Sequence, residues 1–139
     1  MDKLSPQQRH NNMAAIHGKD TKPEMVVRRW LWGRGFRYRL NHPRLPGKPD
    51  IVMRKYRTCI FVNGCFWHGH AGCKYFVWPE SNAEFWKKKI EANISRDKLK
   101  KQQLIDSGWN VIVVWECQLK KKNQQETLQY ITNEIQNNL

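Results

Sequence analysis

The sequence predicts an α/β fold, a single domain in which a mixed central sheet is flanked by helices. Three observations carry that expectation. The chain has 139 residues, enough to bury one core without staples. Its apolar periodicity switches between the helical and the strand repeat, in the order α-α-β-β-β-loop-α-β-α. No internal repeat, low-complexity tract or linker divides it, so residues 1–139 read as one unit.

In chain order, Ser5-Pro6 is a cap followed by proline at a first helical position, and starts a short polar helix to about Ile16. Thr21-Lys22-Pro23-Glu24 is a capping box. It opens a helix with Val26, Val27, Trp30 and Leu31 as its apolar stripe, ending at Gly33 or Gly35. Phe36 to Leu40 alternates apolar and basic residues and reads as a strand. Asn41 to Pro49, with three prolines and a glycine, is a loop. Asp50 to Met53 starts a second strand, Arg54-Lys55 turns, and Arg57 to Asn63 is a third. Gly64 to Pro79 has neither period, and a loop that long inside a small domain is usually functional. Ser81-Asn82-Ala83-Glu84 is a second capping box, opening a long basic helix to about Ser107 that Gly108 closes. Trp109 to Trp115 is a buried strand, Leu119 to Lys122 a basic connection, and Leu128, Ile131 and Ile135 mark a last amphipathic helix.

Composition narrows the function. Twenty-five Lys and Arg face twelve Asp and Glu, a formal net charge of +13. The pI is near 9.9 and the mean hydropathy is -0.81. No apolar run approaches the ~20 residues of a membrane span, and Met1 to Pro6 has no apolar signal region. The expectation is a cytoplasmic protein with no membrane role and a polyanionic partner, nucleic acid first. Seven tryptophans sharpen it. Trp30, Trp67 and Trp86 sit beside Arg, His or Lys, a pairing that suits phosphate holding and base stacking. Trp109 and Trp115 fall in an apolar strand pattern and read as core.

Four cysteines in a reducing compartment argue against disulfides. Cys59 lies in an apolar strand and reads as a small buried residue. Cys65, His68, His70 and Cys73 fall within nine residues, and Cys117 ends the strand after the long helix. Zinc takes four N or S ligands in a tetrahedron. The set that fits best is Cys65, His70, Cys73 and Cys117, leaving His68 free, and it would pin an irregular loop to a distant strand.

Most carboxylates, Asp20 and Asp97 among them, fit helix exteriors or caps. Asp50 differs: it follows Pro46-Gly47-Lys48-Pro49 and precedes apolar strand residues. Spacing alone leaves it equally open to a turn role. A lone carboxylate at a strand end amid positive charge suits Mg²⁺ held between protein and phosphate. Glu24 is the candidate second acid, and His68 the candidate general base, because imidazole titrates near neutrality.

Five blocks carry a resemblance. They are Leu45-Pro46-Gly47-Lys48-Pro49-Asp50, Ile60 to His70, Glu84-Phe85-Trp86, Asn93-Ile94-Ser95-Arg96-Asp97, and Gly108-Trp109 with Val113 to Cys117. In that order, from about Asn11 to Leu119, the chain resembles the very-short-patch repair (Vsr) DNA mismatch endonucleases. That resemblance implies a divergent PD-(D/E)xK restriction-endonuclease-like fold with a structural zinc site. It also implies nicking of one duplex strand 5′ to the thymine of a T:G mismatch left by 5-methylcytosine deamination. Position by position, it makes Asp50 the Mg²⁺ ligand with the Val62 backbone carbonyl beside it. It makes His68 the residue that activates water and Glu24 an assisting acid. Cys65, His70, Cys73 and Cys117 become zinc ligands. Phe66, Trp67 and Trp86 become rings that wedge into DNA, and Met13, in an arm over residues 1–20, a grip on the opposite groove. The implied setting is a prokaryotic cytoplasm, nucleoid-associated on DNA, with a monomeric enzyme and a cytosine-5 DNA methyltransferase as genetic neighbour.

Two departures stand out, one from the standard PD-(D/E)xK set and one from the Vsr pattern that replaces it with Phe-x-His. No Glu-x-Lys follows Asp50, and Asn63 stands where the Vsr pattern Phe-x-His ends in histidine. Asparagine hydrogen-bonds phosphate but takes no proton, so acid–base weight moves to His68, with Asn63 kept in the catalytic set as a polar contact. Two alternatives share the charge and the metal sites: a restriction-type nuclease acting on matched DNA, and a non-catalytic zinc-stabilised DNA-binding module.

Overall fold

The computed structural model describes residues 20–138. The helix expected over Ser5–Ile16, with Met13 in it, lies outside the described residues. Helix α1 (Lys22–Gly33) starts where Thr21 Oγ1 accepts the Glu24 N–H at 3.4 Å. The expected box closes on a different donor, because Glu24 Oε2 takes the Asp20 N–H at 2.9 Å. Pro23 sits in the first turn, where its missing N–H costs nothing.

Four strands follow: β1 (Arg39–Leu40), β2 (Ile51–Met53), β3 (Thr58–Asn63) and β4 (Asn110–Trp115). They lie side by side in the order β1-β2-β3-β4, with β1–β2 and β2–β3 antiparallel and β3–β4 parallel. A parallel neighbour requires a crossover, and helix α2 (Ala83–Asp106) provides it. A 3-10 turn (Glu116–Leu119) then leads to helix α3 (Gln124–Asn137). This is the mixed sheet flanked by helices that the sequence predicts.

The strand repeat of two divides the core between the sheet's faces. Ile51, Met53, Ile60, Ile112 and Val114 pack with Val27 and Leu31 of α1 and with Leu128, Ile131 and Ile135 of α3. Trp30 of α1 adds a bond from Nε1 to Thr132 Oγ1 of α3, 2.9 Å long. The other face packs Val52 and Cys59 against Leu104 of α2, with Phe61, Trp109 and Val111 around them. Cys59 is fully buried there, as expected. Helix α2 buries only Ile90, Asn93 and Leu104, so most of its lysines face solvent. No helix among the described residues is long and apolar enough to cross a membrane.

Four local expectations are corrected. The strand expected over Phe36–Leu40 keeps only Arg39 and Leu40 in the ladder. Its alternation reflects packing instead: Phe36 is buried against Tyr56 of the β2–β3 turn, and the Tyr38 hydroxyl donates to the Arg28 carbonyl of α1. Arg57 stands in the turn at φ 50, so β3 begins at Thr58. No Ser81 box caps α2, whose N-cap is Asn82 in the left-handed conformation with no side-chain cap bond. The connection expected over Leu119–Lys122 is partly ordered as the 3-10 turn, which buries Leu119.

Candidate active site and metal cluster

The antiparallel turn between β2 and β3 places the start of β2 beside the end of β3. Asp50, one residue before β2, accepts the Val62 N–H on Oδ2 at 2.7 Å. Burial pushes the Asp50 carboxyl up to about 6. The Val62 N–H and His68 pull it down, and Glu24 pushes it up. Glu24 is 2% exposed, and burial raises its carboxyl above the ordinary range against the pull of the Asp20 N–H. Its Oε1 is buried without a hydrogen-bond partner among the described residues. Two desolvated carboxylates, one raised in part by the other and one with an orphaned oxygen, form a donor set suited to a hard divalent cation.

Both acids line one open cleft of about 1140 Å³. Val62, Asn63 and His68 line it too, with Arg96, Lys98 and Lys101 of α2. Asn63 is buried at the last β3 position, paired with Trp115 of β4. The His68 Nδ1 lies 2.5 Å from Asp97 Oδ2. An ionised Asp97 fixes Nδ1 as the protonated ring position and leaves Nε2 its lone pair. The turn bearing His68 is clamped to α2 from two sides. Asn93 Nδ2 donates to the Trp67 carbonyl at 2.9 Å. Gly69, at φ +58, lies so close that a Cβ there would meet Ile94 Cδ1 at 2.7 Å and Ile90 Cγ2 at 2.8 Å.

A second constellation lies beyond that turn. The ligand atoms of Cys65, His70, Cys73 and Cys117 all fall within 4.8 Å of one another. A tetrahedral zinc with sulfur ligands has ligand–ligand edges of about 3.7 Å, so the cluster is of the right size. His68 is not in it. Cys65 is fully buried, which pushes its thiol up to about 12. Burial raises Cys117 as well and lowers His70, which favours the neutral imidazole that a metal takes. Trp115, expected as core, stacks on His70 instead, with centroids 4.0 Å apart and planes within 2°. It orients the ligand that reaches Cys117 Sγ at 3.5 Å through Nδ1.

Phe66 and Trp67 line the cleft, and Trp86 packs against both. Their centroids are 5.4 Å apart for Phe66–Trp67, 5.2 Å for Phe66–Trp86 and 5.7 Å for Trp67–Trp86. Trp67 is buried among these rings, while Phe66 and Trp86 are half-buried.

Two comparisons bear on what such a site is for. The family model described as DNA mismatch endonuclease Vsr matches residues 1–74. A type II nicking enzyme of Neisseria meningitidis is 52% identical over 110 residues, covering 79% of this chain and 78% of its own. The DNA mismatch endonuclease Vsr of Escherichia coli is 41% identical over 116 residues, 84% of this chain and 74% of its own. A Xanthomonas oryzae nicking enzyme is 48% identical over 118 residues, 85% and 86% of the two chains.

The chain belongs to the Vsr DNA mismatch endonuclease family. It is a nuclease, and DNA is what it acts on. Within this Vsr-family chain the matched segment holds Asp50, His68, Cys65, His70 and Cys73. Asp97 is the residue that sequence reasoning assigned to a helix exterior and the structure sets against His68. Its signal was available: Asn93 and Asp97 are one helical turn apart, so they share a face. Met13 lies outside the described residues.

Proposed function

We propose that the chain is a metal-dependent endonuclease that nicks one strand of duplex DNA 5′ to the thymine of a T:G mismatch. The observation that carries this reading is the convergence of the Asp50–Glu24 carboxylates and the His68–Asp97 pair in one cleft walled by basic residues and aromatic rings. The Neisseria and Xanthomonas relatives are named as nicking enzymes, and strand nicking fits a reader of an asymmetric lesion acting as a monomer. The likeness to PD-(D/E)xK nucleases belongs to the same reading, with residues 1–139 as one catalytic domain and residues 1–20 as an arm on the DNA. So does a cytosine-5 methyltransferase as genetic neighbour.

Asp50, the Val62 carbonyl and Glu24 are the groups that would hold Mg²⁺. When bound there, the cation supplies positive charge to the phosphate and acidity to water. His68 takes a proton at Nε2 from the water that attacks phosphorus in line, while Asp97 holds the ring and stabilises the imidazolium. The bond from phosphorus to the 3′-oxygen breaks, leaving a 3′-hydroxyl, protonated from solvent, and a 5′-phosphate. Asn63 offers its amide to a phosphate oxygen. Phe66, Trp67 and Trp86 exchange their mutual stacking for stacking beside the mismatch, where a weakly paired step opens cheaply. Cys65, His70, Cys73 and Cys117 are the groups that would hold zinc, which would tie the loop to the end of β4.

The test is nicking of an end-labelled T:G duplex with Mg²⁺ or with EDTA, by wild type and Asp50→Ala. Cleavage with Mg²⁺ alone, lost in Asp50→Ala while duplex binding persists, is the expected result. Equal cleavage by the variant would overturn the assignment.

A further inference from the structure

A second groove opens off the cleft where the loop before β2 meets α2. It is a shallow trough of about 530 Å³ that shares Gly47, Lys48, Arg96 and Lys100 with the main cleft and continues to Arg44. Four cations line it and no carboxylate does. Among the described residues none of the four takes part in an ion pair. Such a concentration of one sign is costly to keep unless a polyanion neutralises it.

The trough is built firmly. Gly47 sits at φ +76, where a Cβ would meet Lys100 Cβ at 3.0 Å and the Phe61 ring at 3.2 Å. The loop backbone is therefore pressed on the stem of Lys100. The Lys48 N–H closes a turn on the Leu45 carbonyl at 3.0 Å. Lys48 itself holds φ +47, a left-handed conformation that glycine or asparagine adopts with less strain. A lysine in that place points to use of its charge. Arg96 donates to Asn93 Oδ1 at 3.2 Å, and Asn93 holds the Trp67 carbonyl, so the trough is tied to the aromatic turn.

We infer that Arg44, Lys48, Arg96 and Lys100 form a phosphate-binding track for the DNA backbone beside the scissile bond. The inference rests on the nuclease reading of the adjoining cleft. A strand with one phosphate in that cleft carries further phosphates at roughly 3.4 Å of axis each, and the track lies where the strand continues. These contacts set the register of the strand over Asp50 and carry no sequence information.

Lys48→Gly is the informative variant, because it deletes the charge and relieves the backbone. Lys48→Asn is its companion, Lys100→Gln probes the helix side, and Lys55→Gln, at the far end of the β2–β3 hairpin, is the control. Each is titrated against a labelled T:G duplex and its matched twin in EDTA over a salt series, with melting temperature read in parallel. The expected result is that Lys48→Gly, Lys48→Asn and Lys100→Gln each flatten the slope of log affinity against log salt by about one on both duplexes. Lys48→Gly also melts no lower than wild type, and Lys55→Gln leaves the slope unchanged. A single methylphosphonate near the scissile bond then costs wild type affinity but costs Lys48→Gly little. Unchanged slopes in the Lys48 and Lys100 variants, or additive losses at every methylphosphonate position, would overturn the track. Binding is read without cleavage, so a wild type that shows the track but never nicks would sink the nuclease reading alone.

Discussion

Asp50 is the residue on which the chemistry and the stability pull in opposite directions. Its carboxyl rises from an ordinary 3.8 to about 6, chiefly through burial. The folded state therefore holds the proton more tightly than the unfolded chain. As pH rises from about 4 to about 6 the unfolded chain ionises first, and stability falls across that window. Above it, the buried charge costs on the order of 1–3 kcal/mol until a cation offsets it. Asp50→Asn, which keeps an oxygen for the Val62 N–H, is expected to melt above wild type at pH 8 and level with it at pH 4, and to be inactive. Thermal melts at the two pH values without divalent cation check this. Asp97→Asn carries a second prediction. It leaves His68 without a carboxylate to fix the tautomer, so nicking falls by about 100-fold or more while duplex affinity holds, a split read by single-turnover rates beside binding isotherms.

At the scale of elements, the loop from Gly64 to Pro79 carries the site because α2 clamps it. Gly69→Ala places a Cβ in Ile90 and Ile94 and asks alanine to hold φ +58. The expected cost is about 1–3 kcal/mol in chemical denaturation, with a drop in nicking that follows His68. Much of this architecture was legible in the sequence. The capping residue Thr21, the apolar run of β4 and the irregular Cys/His loop each express local chemistry that does not depend on distant contacts. What was not legible depended on them. Phe36 to Leu40 alternates because Phe36 enters the core under Tyr56, and alternation alone does not say whether a ladder partner exists. Asp97 looks like any solvent-facing acid until the His68 turn is laid across its helix. Trp115 ends an apolar strand, yet its ring faces His70, since the last residue of a strand answers to the loop beyond it.

Over the whole molecule, two helix layers secure the sheet, while the Cys/His cluster joins the loop to β4. A metal held there would close the loop onto β4, and its binding would then be coupled to folding. Cys117→Ser is expected to lose one zinc per chain by elemental analysis and to lower the melting temperature. A wild-type melt with no zinc in either protein would contradict the structural role. The positive charge serves a different end. It includes seven Lys and Arg on α2 and two in the loop before β2, so binding to any duplex should weaken steeply with salt, matched or mismatched. Discrimination must then come from the rings and the cost of opening the helix, and that is the claim to test. The most direct measurement is Mg²⁺-dependent nicking of a T:G duplex and its fully paired twin at one stated salt concentration. A single cut 5′ to the mismatched thymine, absent from the paired twin, is the predicted result. Equal cutting of both duplexes would contradict it and make the enzyme a nuclease of matched DNA.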